Sequence, residues 1–407
     1  HLVLANGRIL DLSENLDKLK RDHPDAQIVD ASGKLLLPGF VNAHFHGESF
    51  LLHPLTRGLH MALWKDNAPL RQTTERLMHV SSRKDIGVLY RAAYAAHARC
   101  GTTSVGEFPM PWDEESFKQV VTEGGESRAH LVVTLQNWDH IRTAKALAGK
   151  CPRVALNLGK ESDLTVYSIE NVLRAAKDLK APILAHIAEQ REDADIMLKN
   201  FQKGIVNLLH GFNALRPETI LIHANHITED EAVKVKDADG TVVVCPRSTA
   251  AKQTGYPALR SLAKHRVRLA LGTDWGNVDM LEEMRFVHQL PLVVPGLRML
   301  SPLEVVHMAT INGAAALGLH KETGSIESGK RADIVFFSLN AIRLPLLRKQ
   351  SPAEEVAQLV VEALTAGDIS DVMVAGEFVV HEQKLTRVAE PELIQEWRAL
   401  CSRFYPE

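Results

Sequence analysis

A chain of 407 residues, 45% hydrophobic and 24% charged, has material for a large core and suits one barrel-sized unit of about 250 residues plus a smaller one. Its formal charge of −3, from 47 basic and 50 acidic side chains with no basic block, argues against a nucleic-acid partner. No apolar run approaches the roughly 18 residues of a membrane span. Cys100, Cys151, Cys245 and Cys401 are scattered without a CxxC, which fits reduced thiols and a cytoplasmic setting rather than a disulfide framework.

Residues 1–38 read as short strands with turns at Asn6-Gly7 and Ser32-Gly33, separated by a charged loop over 15–22. The opening stretch, Leu2 to Leu10, is short and interrupted by Gly7, so it reads as a strand pair and not a signal peptide. This segment has too little apolar surface to fold alone, and strand-like stretches at 331–337 and 371–380 offer partners. We therefore expect a composite β-sandwich domain from residues 1–38 and 321–388, with a terminal helix over 389–407.

Between 39 and 320, apolar runs alternate with helix-length periodic segments, the signature of βα repetition. Helices are expected over 83–100, 169–179, 230–238 and 302–317. Strands are expected from Val41 and over 102–106, 131–135, 154–159, 183–186, 220–223, 241–245 and 267–272. About eight βα steps make a (β/α)8 TIM barrel the economical fold.

Polar groups fall at the ends of these strands. Pro38-Gly39-Phe40-Val41-Asn42-Ala43-His44-Phe45-His46 delivers two histidines to one strand face, about 6.6 Å apart by strand rise. His186 ends Ile183-Leu184-Ala185, His223 ends Ile220-Leu221-Ile222, and Asp274 follows Leu271-Gly272-Thr273. Barrel active sites are built from such C-terminal strand ends.

These segments, with His186-Ile187-Ala188-Glu189, Ile222-His223-Ala224-Asn225-His226, Ala309-Thr310-Ile311-Asn312-Gly313-Ala314 and Gly324 to Asp333, occur in an order that resembles the amidohydrolase superfamily. The likeness is to its branch of hydrolytic deaminases (of cytosine, guanine and adenosine derivatives) and triazine hydrolases. It implies that His44, His46, His186 and Asp274 hold one divalent ion, which three imidazoles and a carboxylate suit as Zn²⁺, with Fe²⁺ as the other choice. Glu189 is then the proton shuttle to a ring nitrogen of the substrate. His223 orients the attacking water and stabilises charge, and Asp274 also takes a proton. His226, beside the helix-start signal Thr228 to Glu231, reads as structural. Relatives with two metals carry a bridging lysine at the fourth strand, where this chain has Lys160; the His-x-x-Glu at 186–189 goes with the one-metal branch.

Departures from the branch concern the substrate. Arg57-Gly58-Leu59 is followed by His60 to Trp64 rather than acidic residues, the stretch after the seventh strand reads Val244-Cys245-Pro246-Arg247-Ser248-Thr249, and Trp275 stands where a small residue is usual. Trp275 and Trp64 are candidates to stack on a flat ring, and Arg247 to pair with an anionic or polar substituent. The resemblance thus implies hydrolytic deamination of a small-molecule N-heterocycle of purine, pyrimidine or pterin type, with homodimers common among relatives. Its rivals are a different leaving group at the same site, as in triazine dechlorination or cyclic-amide cleavage, and an inactive scaffold, which the complete ligand set argues against.

Overall fold

The structure is a computed structural model and describes residues 1–127, 130–135, 153–256, 258–344, 347–348 and 351–405. Its first two strands, β1 (Leu2–Ala5) and β2 (Arg8–Leu12), form a hairpin turned by Asn6 and Gly7, both at positive φ. The charged stretch after it differs from the expected loop. Leu16–Asp22 is a helix, because Asn15 caps it by accepting the Lys18 N–H and because Leu19 is buried. Charge density alone concealed one apolar anchor.

β3 (Lys34–Pro38) leaves the hairpin for a five-stranded antiparallel sheet completed by the far end of the chain: β12 (Ile334–Ser338), β13 (Ile369–Val374), β14 (Glu377–His381) and β15 (Lys384–Leu385). The order β15-β14-β13-β12-β3 pairs chain segments about three hundred residues apart, with Ile334 opposite Pro38 and Ser338 opposite Lys34. One face packs Ile334, Phe336 and Met373 against Ile9 of the hairpin. The other sends Val335, Phe337 and Val372 into the main core with Phe40.

That core surrounds eight parallel strands: β4 (Phe40–Phe45), β5 (Thr102–Glu107), β6 (His130–Leu135), β7 (Arg153–Asn157), β8 (Ile183–Ile187), β9 (Ile220–His223), β10 (Thr241–Val244) and β11 (Arg268–Leu271). Each pairs with the next in sequence, and a parallel bridge from Phe45 to Asp274 brings the last segment back onto the first. This is the (β/α)8 barrel. Gly272 permits the closure: a Cβ there would lie 2.9 Å from the His44 backbone and side chain. Asn42 pins it, accepting the Thr273 N–H at 3.0 Å and donating to Thr273 Oγ1 at 2.7 Å, while its amide also meets buried His97.

The helix expected over 302–317 is two helices, Pro302–Met308 and Ile311–Ala316. Thr310 sits between them at φ −132°, ψ −100°, its hydroxyl donating to the Val306 carbonyl. The other expected helices run as Arg83–Arg99, Val166–Leu179 and Glu229–Asp237, the last two opened by capping boxes at Thr165 and Thr228. The terminal helix Glu390–Phe404 packs on Arg83–Arg99 through Leu393 and Ala92. Among the described residues, no helix is long and apolar enough to cross a membrane. Cys100, Cys245 and Cys401 are free thiols; Cys151 lies outside the described residues.

Candidate active site

The strand ends bring six of the expected residues into one cluster. β4 supplies His44 from its end and His46 just beyond it, T-shaped to each other with ring centroids 4.8 Å apart. β8 supplies His186 and, after a turn, Glu189. β9 ends on His223, and Asp274 follows β11. Four residues of these turns, Ala188 (φ 43°), His223 (φ 69°), Ala224 (φ 55°) and Asp274 (φ 55°), are in the left-handed region without being glycine. Such backbone is held only where surroundings over-determine it, and it clusters at functional sites. Here the Ala188 N–H donates to buried Glu161, the Ala224 N–H to the Ile187 carbonyl, and the Asp274 N–H to the His44 carbonyl, at 2.9, 3.0 and 2.9 Å.

The ring nitrogens converge. His186 Nε2 lies 3.1 Å from His44 Nε2, and Asp274 Oδ1 lies 3.6 Å from His44 Nε2 and 3.3 Å from His46 Nε2. His44, His46 and His186 form one set with ligand atoms within 4.8 Å of one another; His44, His223 and Asp274 form another. Burial pushes the His44 imidazole down to about 3 and His186 and His223 below their ordinary range, so all three favour the neutral, lone-pair-bearing form that binds a cation. Asp274 Oδ1 is fully buried and accepts no hydrogen bond from the described residues, facing those nitrogens. A buried carboxylate oxygen left orphaned against neutral imidazoles is what a divalent cation would satisfy, and the donor set is that of Zn²⁺ or Fe²⁺. The residues fit the ion.

Glu189 and His223 stand beside this centre, with His223 Nε2 3.5 Å from Glu189 Oε1 and 4.0 Å from Asp274 Oδ2. Burial would raise Glu189, yet His223 and Lys252 hold it below the usual carboxylate range. Asp274 is likewise held well below that range against its burial, chiefly by Lys252. The centre therefore keeps two ionised carboxylates in an enclosed, mostly histidine-lined space.

The family model for amidohydrolases matches residues 35–379, from the strand before His44 to the fourth strand of the composite sheet. The chain belongs to the amidohydrolase family. It is similar to the 5-methylthioadenosine/S-adenosylhomocysteine deaminase of Syntrophomonas wolfei, 26% identical over 395 residues that cover 91% of this chain and 87% of that protein. Its fold is similar to the crystal structure of an adenosine deaminase from Xanthomonas campestris with bound zinc, at a TM-score of 0.82 and 22% identity, covering 99% of this chain and 93% of that one. It is similar, too, to the zinc complex of an atrazine chlorohydrolase from Arthrobacter aurescens TC1, at 0.81 and 18%, covering 98% and 94%.

Within this amidohydrolase barrel, the other expected residues are placed as follows. Trp275 and Trp64 meet with ring centroids 5.0 Å apart, and the Trp275 ring is 5.9 Å from His46. The Trp275 indole N–H is anchored on Thr56 Oγ1 at 3.0 Å. The two tryptophans thus form one aromatic surface beside the histidines, with Phe108 centred 5.1 Å from His46 on another side. Arg247 is not brought to the cluster. Its guanidinium pairs with Glu282, and its backbone N–H donates to Glu283, both on the helix Met280–Val293. His226 bonds the Thr254 carbonyl at 2.8 Å, outside the cluster. Lys160 is exposed at the start of the turn Glu161–Asp163; the buried side chain there is Glu161.

Three groups escaped the sequence reading. Lys252, 4% exposed, reaches Glu189 Oε1 at 2.8 Å and Asp274 Oδ2 at 2.5 Å. Ser248 donates to the same Oδ2 at 2.6 Å. Both lie on the helix Pro246–Lys252, and their spacing of four residues puts them on one face; that spacing, just past a strand end, was the available signal. Behind His46, Glu48 Oε1 lies 3.4 Å from its Nδ1, Tyr90 donates to Glu48 at 3.4 Å and Trp112 to Tyr90 at 3.0 Å. Such an outer carboxylate fixes which nitrogen of a ligating histidine faces the metal.

Proposed function

We propose that this protein is a metal-dependent hydrolytic deaminase of an amino-substituted N-heterocycle, and that the purine ring of a nucleoside is its substrate class. The observation that carries this is the orphaned Asp274 Oδ1 facing His44, His46 and His186, with Glu189 alongside. The Syntrophomonas relative, named as a deaminase, supports the reaction, and the zinc bound by the Xanthomonas adenosine deaminase supports the choice of Zn²⁺.

In this reading His44, His46, His186 and Asp274 would hold the ion. When bound, it supplies Lewis acidity and draws the pKa of an adjacent water toward neutrality. Glu189 accepts a proton from the attacking water and delivers it to the ring nitrogen next to the amino-bearing carbon, which makes that carbon electrophilic. His223, held neutral by burial, presents an imidazole N–H to the oxygen as it attacks and stabilises the charge it gathers. The amino group departs as ammonia after gaining a proton, and the ring keeps the oxygen as a carbonyl. Trp64 and Trp275 supply the flat face on which such a ring rests.

The test is an assay of Zn²⁺-loaded protein against adenine nucleosides, guanine, cytosine, pterins and chlorotriazines, reading ammonia and chloride separately. Ammonia from a purine nucleoside supports the reading. Chloride from the triazines without ammonia from any amino-heterocycle overturns it in favour of the dechlorinating alternative.

A further inference from the structure

Lys252 is the one buried lysine among the described residues, and neither the ligand set nor the proton shuttle accounts for it. Its ammonium lies between the two carboxylates of the centre, 2.8 Å from Glu189 Oε1 and 2.5 Å from Asp274 Oδ2, and Nζ stands over the Trp64 ring, 5.6 Å from its centroid. A charge enclosed this far is stable only when paired and hydrogen-bonded, and here both partners belong to the reaction. The contacts are also selective by atom. Asp274 Oδ2 takes Lys252 and Ser248, which leaves Oδ1 as the oxygen turned to the histidines. Glu189 Oε1 takes Lys252, and no hydrogen bond from the described residues holds Oε2, which is free to carry a proton.

We propose that Lys252 is a positioning residue that clamps Glu189 and Asp274 together, fixing which oxygen of each faces the metal and the substrate. The inference rests on the deaminase reading only for its kinetic test. With the ammonium gone, Glu189 swings free and turnover falls. Asp274, no longer sharing its charge with a cation, binds the metal more tightly.

The experiment compares wild type with Lys252→Met, which keeps the length of the stem, and with Lys252→Ala. Circular dichroism and zinc stoichiometry are checked first. Lys252→Met is expected to lose about 10- to 100-fold in kcat, the range for residues that orient ligands and catalytic groups, with KM within about threefold. It should release zinc to a chelator more slowly than wild type. Lys252→Ala should regain turnover with added ethylammonium, saturably, and not with tetramethylammonium, which has no N–H to donate.

Faster zinc release together with lost activity would mark Lys252 as a structural filler and overturn the proposal, as would kcat within twofold of wild type. Should wild type deaminate nothing in the panel, the deaminase reading fails while zinc release still decides the clamp: slower release in Lys252→Met upholds it, and equal or faster release ends it.

Discussion

Two buried aspartates, each held below the ordinary carboxylate range by a lysine, show how the two parts of this molecule differ. Asp371, on β13 of the composite sheet, is satisfied on both oxygens: Lys34 at 2.5 Å, Ser370 Oγ at 2.7 Å, His381 Nδ1 at 2.7 Å and the Glu382 N–H at 3.0 Å. It ties the N-terminal strand β3 to the C-terminal strands and asks for nothing more. Asp274, at the barrel rim, has Oδ2 satisfied by Lys252 and Ser248 and Oδ1 left without a hydrogen bond from the described residues. The backbone differs as well, for Asp274 sits in the left-handed region past a strand end, whereas Asp371 lies within strand β13 and outside that region. A fold that can close every hydrogen bond around one buried aspartate, and does not around another, has reserved that second oxygen for something else.

The sharpest way to break this comparison is to remove the bare oxygen. Asp274→Ala should lower zinc content well below one per chain and abolish measurable turnover, whereas Asp371→Asn should leave both as in wild type; metal analysis and ammonia release check it. Next in size is Glu189→Gln. It should keep zinc but lose about 10²- to 10⁴-fold in rate, the usual worth of a general acid–base group; a near-normal rate on the true substrate would remove the role given to Glu189.

Trp275→Ala should raise KM by up to roughly tenfold, since an aromatic contact is worth about 0.5–1.5 kcal/mol, with zinc content unchanged. Arg247→Ala should change KM by less than about twofold, because its guanidinium is paired with Glu282 and not with the cluster. Parallel steady-state kinetics on one substrate separate these two side chains.

The smallest effect falls on the satisfied aspartate and touches stability alone. Although burial opposes it, Lys34, Ser370 and His381 hold Asp371 at about 2. A carboxylate whose folded pKa is depressed stabilises the native state above its unfolded pKa of about 3.9 and loses that contribution as pH falls toward 2. Wild type should therefore exceed Asp371→Asn in urea midpoint at pH 7 and lose the advantage between about pH 5 and pH 2. A constant difference across that window would show that the ionised form is not what stabilises the sheet.

The sequence was most legible where one residue answers to one local rule. Apolar runs marked most of the barrel strands, since strands buried on both faces are largely apolar, whereas β5, Thr-Thr-Ser-Val-Gly-Glu, was legible from the turn at Gly101 and its place after a helix. Histidines and an aspartate ending such runs are conspicuous because nothing in packing asks for them, and the cluster of His44, His46, His186, His223, Glu189 and Asp274 follows. Errors arose where a residue's meaning depends on its neighbours in space. The segment 15–22 looked like a loop until Leu19 found a core, and 302–317 looked continuous until the Thr310 hydroxyl took the Val306 carbonyl.

By itself, then, the chain determined the barrel, the partnership of its two ends and the side chains that gather at the rim, because period, turn chemistry and strand-end polarity are properties of short stretches. Only the tertiary structure decided which oxygen of Asp274 stays bare, that Lys252 lies between the two carboxylates, and that Trp64 and Trp275 share one surface. Residues 64, 189, 252 and 275 come from four separate loops and helices, and charge pairing across a few ångströms depends on where those elements dock, which no local pattern along the chain encodes.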